Sequence, residues 1–382
     1  MYHLCILTSH FYPVKSSCSN LFKDLINSVL KDDFKITIMT ISGTKNKIKV
    51  IKTKKITYIG VKNKYLQSSK NYFRAVGDIY AIFRLTNFYN KKDFTEFDQV
   101  IVYSPSIFWA ILLLKLKKKL VSIKLGDLYP LWLVDHKIIK KYSLSYFFLK
   151  FFELFLYYQA DKVFVQTEKD IKYISKYKKI FNFDCQVIYN WINTDRLKNI
   201  EIKRIKKKYV RFIFIGVIGI AQDFELIFKI IKYCNQNNFK STFFFIGSGT
   251  KKNSLRDLTK DFKNVFFYSE MNLTRLDKII QQCDVCISTL SKNFYSENFP
   301  GRILRYMIFN KPLLVHSPNN NFLKNLIVNN SLGLYSSNEI ELFNNIQYIF
   351  SKHEIYKEMG SKGFDTVKNL FSCDKAKKKF FV

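Results

Sequence analysis

Two runs of alternating strand and helix signals, separated by one charged stretch, constrain this chain more than any other feature. Short apolar runs at Leu4–Thr8, Lys35–Ile41, Ile56–Val61, Gln99–Tyr103, Leu120–Lys124, Lys162–Gln166 and Gln186–Tyr189 read as strands. Helical stretches fill the gaps, Asn20–Lys31 and Ser145–Ala160 among them. Around 193–208 the pattern lapses into DRLKNIEIKRIKKK, which has no apolar periodicity and reads as a linker. The series then restarts with strands at Val210–Ile215, Ser241–Ile246, Asn264–Tyr268, Val285–Thr289 and Pro312–His316. Helices near Phe224–Gln236, Leu273–Gln282 and Arg302–Phe309 lie between them. Such β–α alternation predicts parallel sheets wrapped by helices. Over 382 residues it predicts two α/β domains, 1–192 and 209–365, with a tail at 366–382. Two doubly wound domains facing each other would place any ligand at the strands' carboxyl ends, along the cleft between them.

Charge narrows the partners only in part. The formal net charge is +33, from 63 Lys and Arg against 30 Asp and Glu, and only nine of the 63 are Arg. A hydrophobic fraction of 48% and an aromatic fraction of 17% exclude a disordered basic arm. The joint excess of Lys, Asn, Ile, Phe and Tyr is what an AT-rich coding sequence imposes, so the charge mixes drift with attraction to anions. No nucleic-acid-binding signature is present, and Arg, the residue most used for base contacts, is scarce. The longest clean apolar run, Ile107–Leu114, ends at Lys115, far short of the ~20 residues of a membrane span. Residues 2–12 lack the pattern of a signal peptide, so cytoplasmic residence is expected. The seven Cys form no even framework. Cys283 and Cys286 make a lone CxxC with no second pair, which reads as a helix end running into a buried strand rather than a zinc site; no metal is expected.

Four segments carry candidate chemistry. The loop after the first strand, Thr8–Ser17, opens onto a helix and so offers unpaired N–H groups; a turn with Ser19 or Asn20 as N-cap is the alternative. His10, Ser16 and Ser17 are its candidate ligand residues. In IKLGDLYP, Asp127 stands just past a strand end, placed to bind sugar hydroxyls, to act as a base or to cap a turn before Pro130. The stretch FIGVIGIAQD puts Gly216 and Gly219 three apart between strand and helix, where backbone can approach a phosphate, with Gln222 following. Gly247 and Gly249 repeat that arrangement at the next strand end. Neither fits the dinucleotide fingerprint or the P-loop, which argues against an NAD-dependent oxidoreductase and an ATPase. The fourth segment is ENFPGRILRYM, in which Pro300-Gly301 starts a helix and Arg302 sits in its first turn. A cation there is disfavoured by the helix dipole unless it shares an anion with the backbone N–H groups. Two phosphates of a nucleotide diphosphate would suit.

Together, in this order and spacing, the segments resemble the retaining GT-B glycosyltransferases of family 4, in particular the branch that builds bacterial O-antigen, capsule and colanic acid. HFYP is similar to the family's opening loop, YSPSIF to its TSPP segment, and LGDLYPLWLVD to its Asp–aromatic–Pro segment. ADKVFVQTEKDIKYI and VIYNWIN resemble the strands leading to its interdomain linker. GVIGIAQD is similar to G-x-I-G-x-A-Q, and NFPGRILRYMIFNKPLLV to the donor-site helix. The resemblance implies transfer of a sugar from a UDP- or GDP-sugar to an undecaprenyl diphosphate-linked glycan, with retention, no bound metal and no permanent cofactor. The first domain would bind acceptor and the second donor, and the tail would carry a helix back to the first domain. On this pattern Arg302 neutralises the leaving diphosphate, Gly216 and Gly219 admit it, Glu297 contacts the donor sugar and Asp127 lies on the acceptor side. Glu297 is the first acid of E-x7-E; the second, which would bind the ribose, is here Arg305. Val217 and Gln222 also depart from the family pattern, which concentrates phosphate-binding charge on Arg302 and Arg305. These departures leave a catalytically silent relative that binds a glycan or partner as the competing reading. An acceptor of this kind is held at the inner face of a membrane. Ser145–Tyr158, dense in Phe and Tyr, the basic stretch His136–Lys141 and LKLKKKL at Leu114–Leu120 are the candidate anchors; the helix reads equally as core and the lysine run as a solvated face.

Overall fold

The computed structural model describes residues 1–14, 16–43, 47–65, 71–92, 95–194, 209–292, 297–352, 356 and 358–381. Residues 195–208 of the expected linker and Lys15 of the opening loop lie outside the described residues. Contacts divide the chain into two compact units, Met1–Asn193 with Cys373–Val382, and Thr194–Ser372.

In the first unit the described strands are β1 (Tyr2–Thr8), β2 (Phe34–Thr40), β3 (Lys49–Lys52), β4 (Ile56–Gly60), β5 (Phe97–Ser104), β6 (Lys118–Leu125), β7 (Lys162–Val165) and β8 (Asp184–Val187). They form one sheet in the order β3-β4-β2-β1-β5-β6-β7-β8, with β3 alone antiparallel to its neighbour. Leu4, Cys5, Ile6 and Leu7 of β1 are all fully buried, as a strand covered on both faces requires. Strand alternation sends Leu4 and Ile6 to one face, under the helices Ser17–Val29 and Cys373–Phe381, where Phe22, Phe164, Trp191 and Phe380 pack. It sends Cys5 and Leu7 to the other, under helices Asn71–Asn90, Trp109–Leu113 and Leu144–Tyr158.

The first helix starts earlier than expected. Ser16, not Ser19 or Asn20, is the N-cap: its Oγ accepts from Ser19 N at 3.1 Å while Ser19 Oγ accepts from Ser16 N at 2.8 Å, a reciprocal capping box. The aromatic helix Leu144–Tyr158 is both core and surface. Leu149, Leu156, Tyr157 and a Glu153 paired with Lys150 face inward, whereas Leu144, Phe147, Phe148, Phe151 and Tyr158 are exposed. The lysine run is divided rather than a uniform face. Lys118 is half-buried and donates to the Leu116 carbonyl at 3.4 Å, while Lys119, exposed like Lys115 and Lys117, pairs with Asp98 at 2.8 Å.

In the second unit β9 (Val210–Ile215), β10 (Ser241–Ile246), β11 (Val265–Tyr268), β12 (Val285–Thr289), β13 (Leu313–His316) and β14 (Gly333–Ser336) form a parallel sheet in the order β11-β10-β9-β12-β13-β14. Every residue of VRFIFI and VCIST is buried. Phe212 stacks on Phe243 with ring centroids 4.8 Å apart, and Phe214 and Phe245 extend the same layer. Cys283 ends the helix Leu273–Gln282, and Cys286 lies inside β12; both are buried free thiols. Burial raises the Cys286 thiol well above its ordinary range, so it stays protonated and inert.

The tail divides at Ser372, not at 365. Helix Gly363–Leu370 stays with the second unit because it lies directly on helix Gly301–Met307: a Cβ on Gly363 would fall 2.4 Å from the Met307 carbonyl oxygen. The next helix, Cys373–Phe381, belongs to the first unit, with Phe380 4.9 Å from the Phe164 ring and 5.5 Å from Trp191.

Candidate functional site

Strand order reverses beside β9, which pairs with β10 on one side and β12 on the other. In open α/β sheets ligands bind outside the carboxyl ends of the strands at such a point. The β9 loop carries Gly216 and Gly219, and the segment after β12 leads to Pro300, the N-cap of helix Gly301–Met307. The structure brings Arg302 and Gly216 together here. A Cβ on Gly216 would lie 3.6 Å from Arg302 Nη2, and Gly216 adopts φ +106, which a side chain would strain. The guanidinium carbon sits 4.2 Å from the centre of the Phe214 ring. Arg302 Nη1 is buried with no hydrogen-bond partner. Among the described residues no carboxylate enters its electrostatic surroundings, and burial pulls its pKa down to about 10. Arg302 as a whole is half-buried; a cation partly withdrawn from water without a carboxylate is costly, and an anion is the group that would offset that cost. Phe214, the platform for Arg302, was not legible as a site residue, since it reads as one more apolar position in a strand.

The other second-unit candidates take different places. Gln222 closes the turn, its N–H donating to the Gly219 carbonyl at 3.2 Å, and its buried Oε1 has no partner. Gly247 and Gly249 serve the packing of loop on loop: a Cβ on either would fall 2.0 Å from Gly216 O and 2.3 Å from Ile218 O respectively. Ile218 N donates to Ser248 O at 2.8 Å, tying the two loops together. Arg305 does not offer an open charge. Its Nε donates to Asp277 Oδ1 at 2.8 Å, so of the two cations expected to meet phosphate only Arg305 is held by a carboxylate among the described residues. Glu297 is buried, and its Oε1 accepts from Asn321 N at 3.0 Å, at the start of the helix that Asn320 caps.

In the first unit the order reverses beside β1, flanked by β2 and β5. His10 lies in the loop after β1, where burial and the nearby Arg74 guanidinium lower its pKa to about 4, so it is neutral at physiological pH. Ser16 is spent on the helix cap and Ser17 is the exposed first residue of the helix. Asp127 is half-buried after β6, in electrostatic reach of Lys124, Asp170 and Tyr103. Lys124 is fully buried with its Nζ donating to Leu125 O at 3.1 Å, and desolvation lowers it to about 7. That lysine reads in sequence as an ordinary strand end.

Residues 195–366 match the family model of glycosyl transferases group 1. The probable glycosyltransferase WbjE of Pseudomonas aeruginosa is 27% identical over 201 residues, covering 49% of this chain and 48% of that protein. The match thus spans about half the length of this curated relative. Among solved structures, a trehalose-6-phosphate structure from E. coli bound with UDP-2-fluoro glucose superposes with a TM-score of 0.74 at 10% identity, over 99% of this chain and 98% of that one. WaaG, a glycosyltransferase involved in lipopolysaccharide biosynthesis, gives a TM-score of 0.68 at 14% identity, over 99% of each chain. At these identities the likeness establishes the fold: two parallel-sheet α/β units of the GT-B class.

Proposed function

We propose that this chain is a retaining glycosyltransferase of family 4. It takes a sugar from a UDP- or GDP-sugar and passes it to a lipid-linked glycan in surface-polysaccharide synthesis. The observation that carries this reading is the half-buried Arg302 guanidinium with a buried, unpartnered Nη1 beside Gly216, in a segment matching glycosyl transferases group 1. The likeness to WbjE supports the transferase class, and the nucleotide sugar held by the E. coli neighbour supports a UDP-sugar donor.

In this reading the diphosphate lies against the Gly216–Gly219 loop, where Gly216 leaves room for it. Negative charge grows on the diphosphate as the bond to the sugar breaks, and Arg302, already desolvated and aimed there, stabilises that charge without reorganising. Glu297, fixed by Asn321 N, is assigned to the donor sugar, and Asp127 to the acceptor. Calorimetric titration with UDP-, GDP- and ADP-sugars should find one nucleotide series that binds in the micromolar range without added metal. If none of the series binds, the transferase reading fails.

The acceptor's lipid would be met at an anionic bilayer by the first unit. No helix among the described residues is long and apolar enough to cross a membrane. Instead the outer side of helix Leu144–Tyr158 exposes Leu144, Phe147, Phe148, Phe151 and Tyr158. Helix Asn71–Asn90, over the same sheet face, exposes Phe73, Val76, Tyr80 and Phe83. Lys115, Lys117, Lys137, Lys140 and Lys141 are exposed in the same unit, while Lys119 is paired with Asp98 and Glu96. Aromatic rings beside lysines suit an anionic interface. The triple variant Leu144→Ser, Phe147→Ser, Phe151→Ser should bind phosphatidylglycerol-containing vesicles about tenfold more weakly than the unaltered chain. Unchanged co-sedimentation would remove the membrane from the proposal.

A further inference from the structure

Four loops at the carboxyl edge of the first sheet converge on one half-buried carboxyl group. Asp78, from helix Asn71–Asn90, is held by Asn63 from the loop after β4, whose Nδ2 donates to Asp78 Oδ1 at 2.6 Å. The same amide is fully committed: Nδ2 also donates to Arg74 O at 3.4 Å, and Oδ1 accepts from Tyr65 N at 2.8 Å. The helix is seated tightly on it, since a Cβ on Gly77 would fall 2.1 Å from Asn63 Oδ1. Arg74 lies one turn before Asp78, and His10 from the β1 loop and Tyr129 from the β6 loop both feel its charge. Ser106, from the loop after β5, brings its buried Oγ close to Asp78.

A purely structural role would not call for a carboxylate. An Asn at position 78 could accept the same bond from Asn63 without the desolvation that pushes Asp78 up to about 7. A half-buried acid, a guanidinium, a phenol and a hydroxyl gathered at a strand-order reversal are the groups that read sugar hydroxyls.

We propose that Asp78, Arg74 and Tyr129, with His10 and Ser106 beside them, form a hydroxyl-reading subsite that takes a pyranose ring of the acceptor. Asp78 accepts from ring hydroxyls through the oxygen lone pairs that Asn63 leaves open, and Arg74 and Tyr129 donate to ring oxygens. The proposal rests on the transferase reading above and assigns its acceptor specificity to residues outside the opening loop and Asp127. It also fixes a pH dependence. His10 is lowered to about 4 and Tyr129 raised to about 12, and Asn63 and Ser106 do not titrate. Asp78 is therefore the group of this cluster that changes charge between pH 6 and 8. Its ionised form is the better acceptor, so binding should strengthen as pH rises through about 7.

The test uses the full chain and octyl glycosides of glucose, galactose, mannose and N-acetylglucosamine as probes, with UDP- and GDP-sugar titrations run alongside. At least one glycoside should bind, about fivefold to tenfold more tightly at pH 8 than at pH 6. Asp78→Asn should flatten that pH dependence. Arg74→Met and Tyr129→Phe should each weaken glycoside binding about tenfold or more while nucleotide-sugar affinity is unchanged. Tyr129→Phe removes one hydroxyl and guards against misfolding as the cause. Equal glycoside affinity in all three variants, or a nucleotide sugar that binds while no glycoside does, overturns the subsite and leaves the donor reading standing. Glycoside binding with these mutational losses, but no nucleotide-sugar binding, supports the subsite and overturns the transferase reading instead.

Discussion

Replacing Arg302 by Ala is expected to abolish measurable sugar transfer, lowering kcat about 10³-fold or more while the fold survives. Arg302 stands against Gly216 with Nη1 buried and unpartnered, so the group lost is the one placed to meet charge on a departing diphosphate. The fold should tolerate the change because two effects oppose each other. Removing a half-buried cation without a carboxylate partner relieves part of a desolvation cost, while the stacking on Phe214 that disappears is worth on the order of 1–2 kcal/mol. Arg302→Lys should recover only part of the rate, because an ammonium cannot fork across two phosphate oxygens and its shorter reach leaves the Phe214 face. Turnover numbers from a donor-consumption assay, set beside thermal melts, check both halves of the expectation. Wild-type-like turnover in Arg302→Ala would sink the site. Arg302 is lowered only to about 10, so its deprotonation should impose no fall in rate below about pH 9.

The second large effect is on the fold. Gly247→Ala would place a methyl carbon 2.0 Å from the Gly216 carbonyl oxygen, at a residue whose φ is +149. The obstacle is backbone, which cannot swing aside as a side chain tip would, and the conformation itself disfavours any Cβ. A destabilisation of about 3 kcal/mol or more is expected for the second unit, with loss of donor binding because the Gly216 loop must move. Gly249→Ala should behave similarly, since its Cβ would lie 2.3 Å from Ile218 O. Gly219→Ala is the contrasting control. Its Cβ would meet only Val217 Cγ1 at 3.3 Å, so stability should hardly move and any loss of donor affinity would report directly on phosphate approach. Chemical denaturation of the three variants gives the ranking. A Gly247→Ala chain as stable as the parent would show that the two loops do not pack as described.

Much of this architecture was legible because strands buried on both faces are continuous apolar words. VRFIFI, STFFFI and VCIST are bounded in the structure where they are bounded in the sequence. The edge strands escaped notice for the opposite reason. Lys49–Lys52 is exposed throughout and pairs antiparallel at the sheet's rim, and Gly333–Ser336 is too short and mixed to stand out. The helix Asn71–Asn90 was not delimited, since aromatic residues on its solvent side blur the period that marks a helix. Arg302 and Gly216 could be singled out from local grammar, a Gly or a helix start just past an apolar run. The Asp78 cluster could not, because its members come from four separate strand-end loops and a helix that only the sheet order gathers. The start of the first helix went astray for a smaller reason: Ser16 and Ser19 are both competent caps, and only the reciprocal bond between them shows which leads.

The return of helix Cys373–Phe381 to the first unit has a consequence for the order in which the protein is made. Phe164, Trp191 and Phe22 emerge from the ribosome early, yet the side chain that covers them, Phe380, is synthesised only after the whole second unit. Until then helix Ser17–Val29 covers that face of the first sheet without its neighbour, and Gln99 Nε2, which donates to Ser122 Oγ at 2.6 Å, lacks the Phe380 carbonyl it will reach at 3.1 Å. The second unit, whose residues 194–372 form an unbroken segment, has no such dependence and can close its core first. The nascent first unit is therefore the part of the molecule that most needs protection from aggregation during translation.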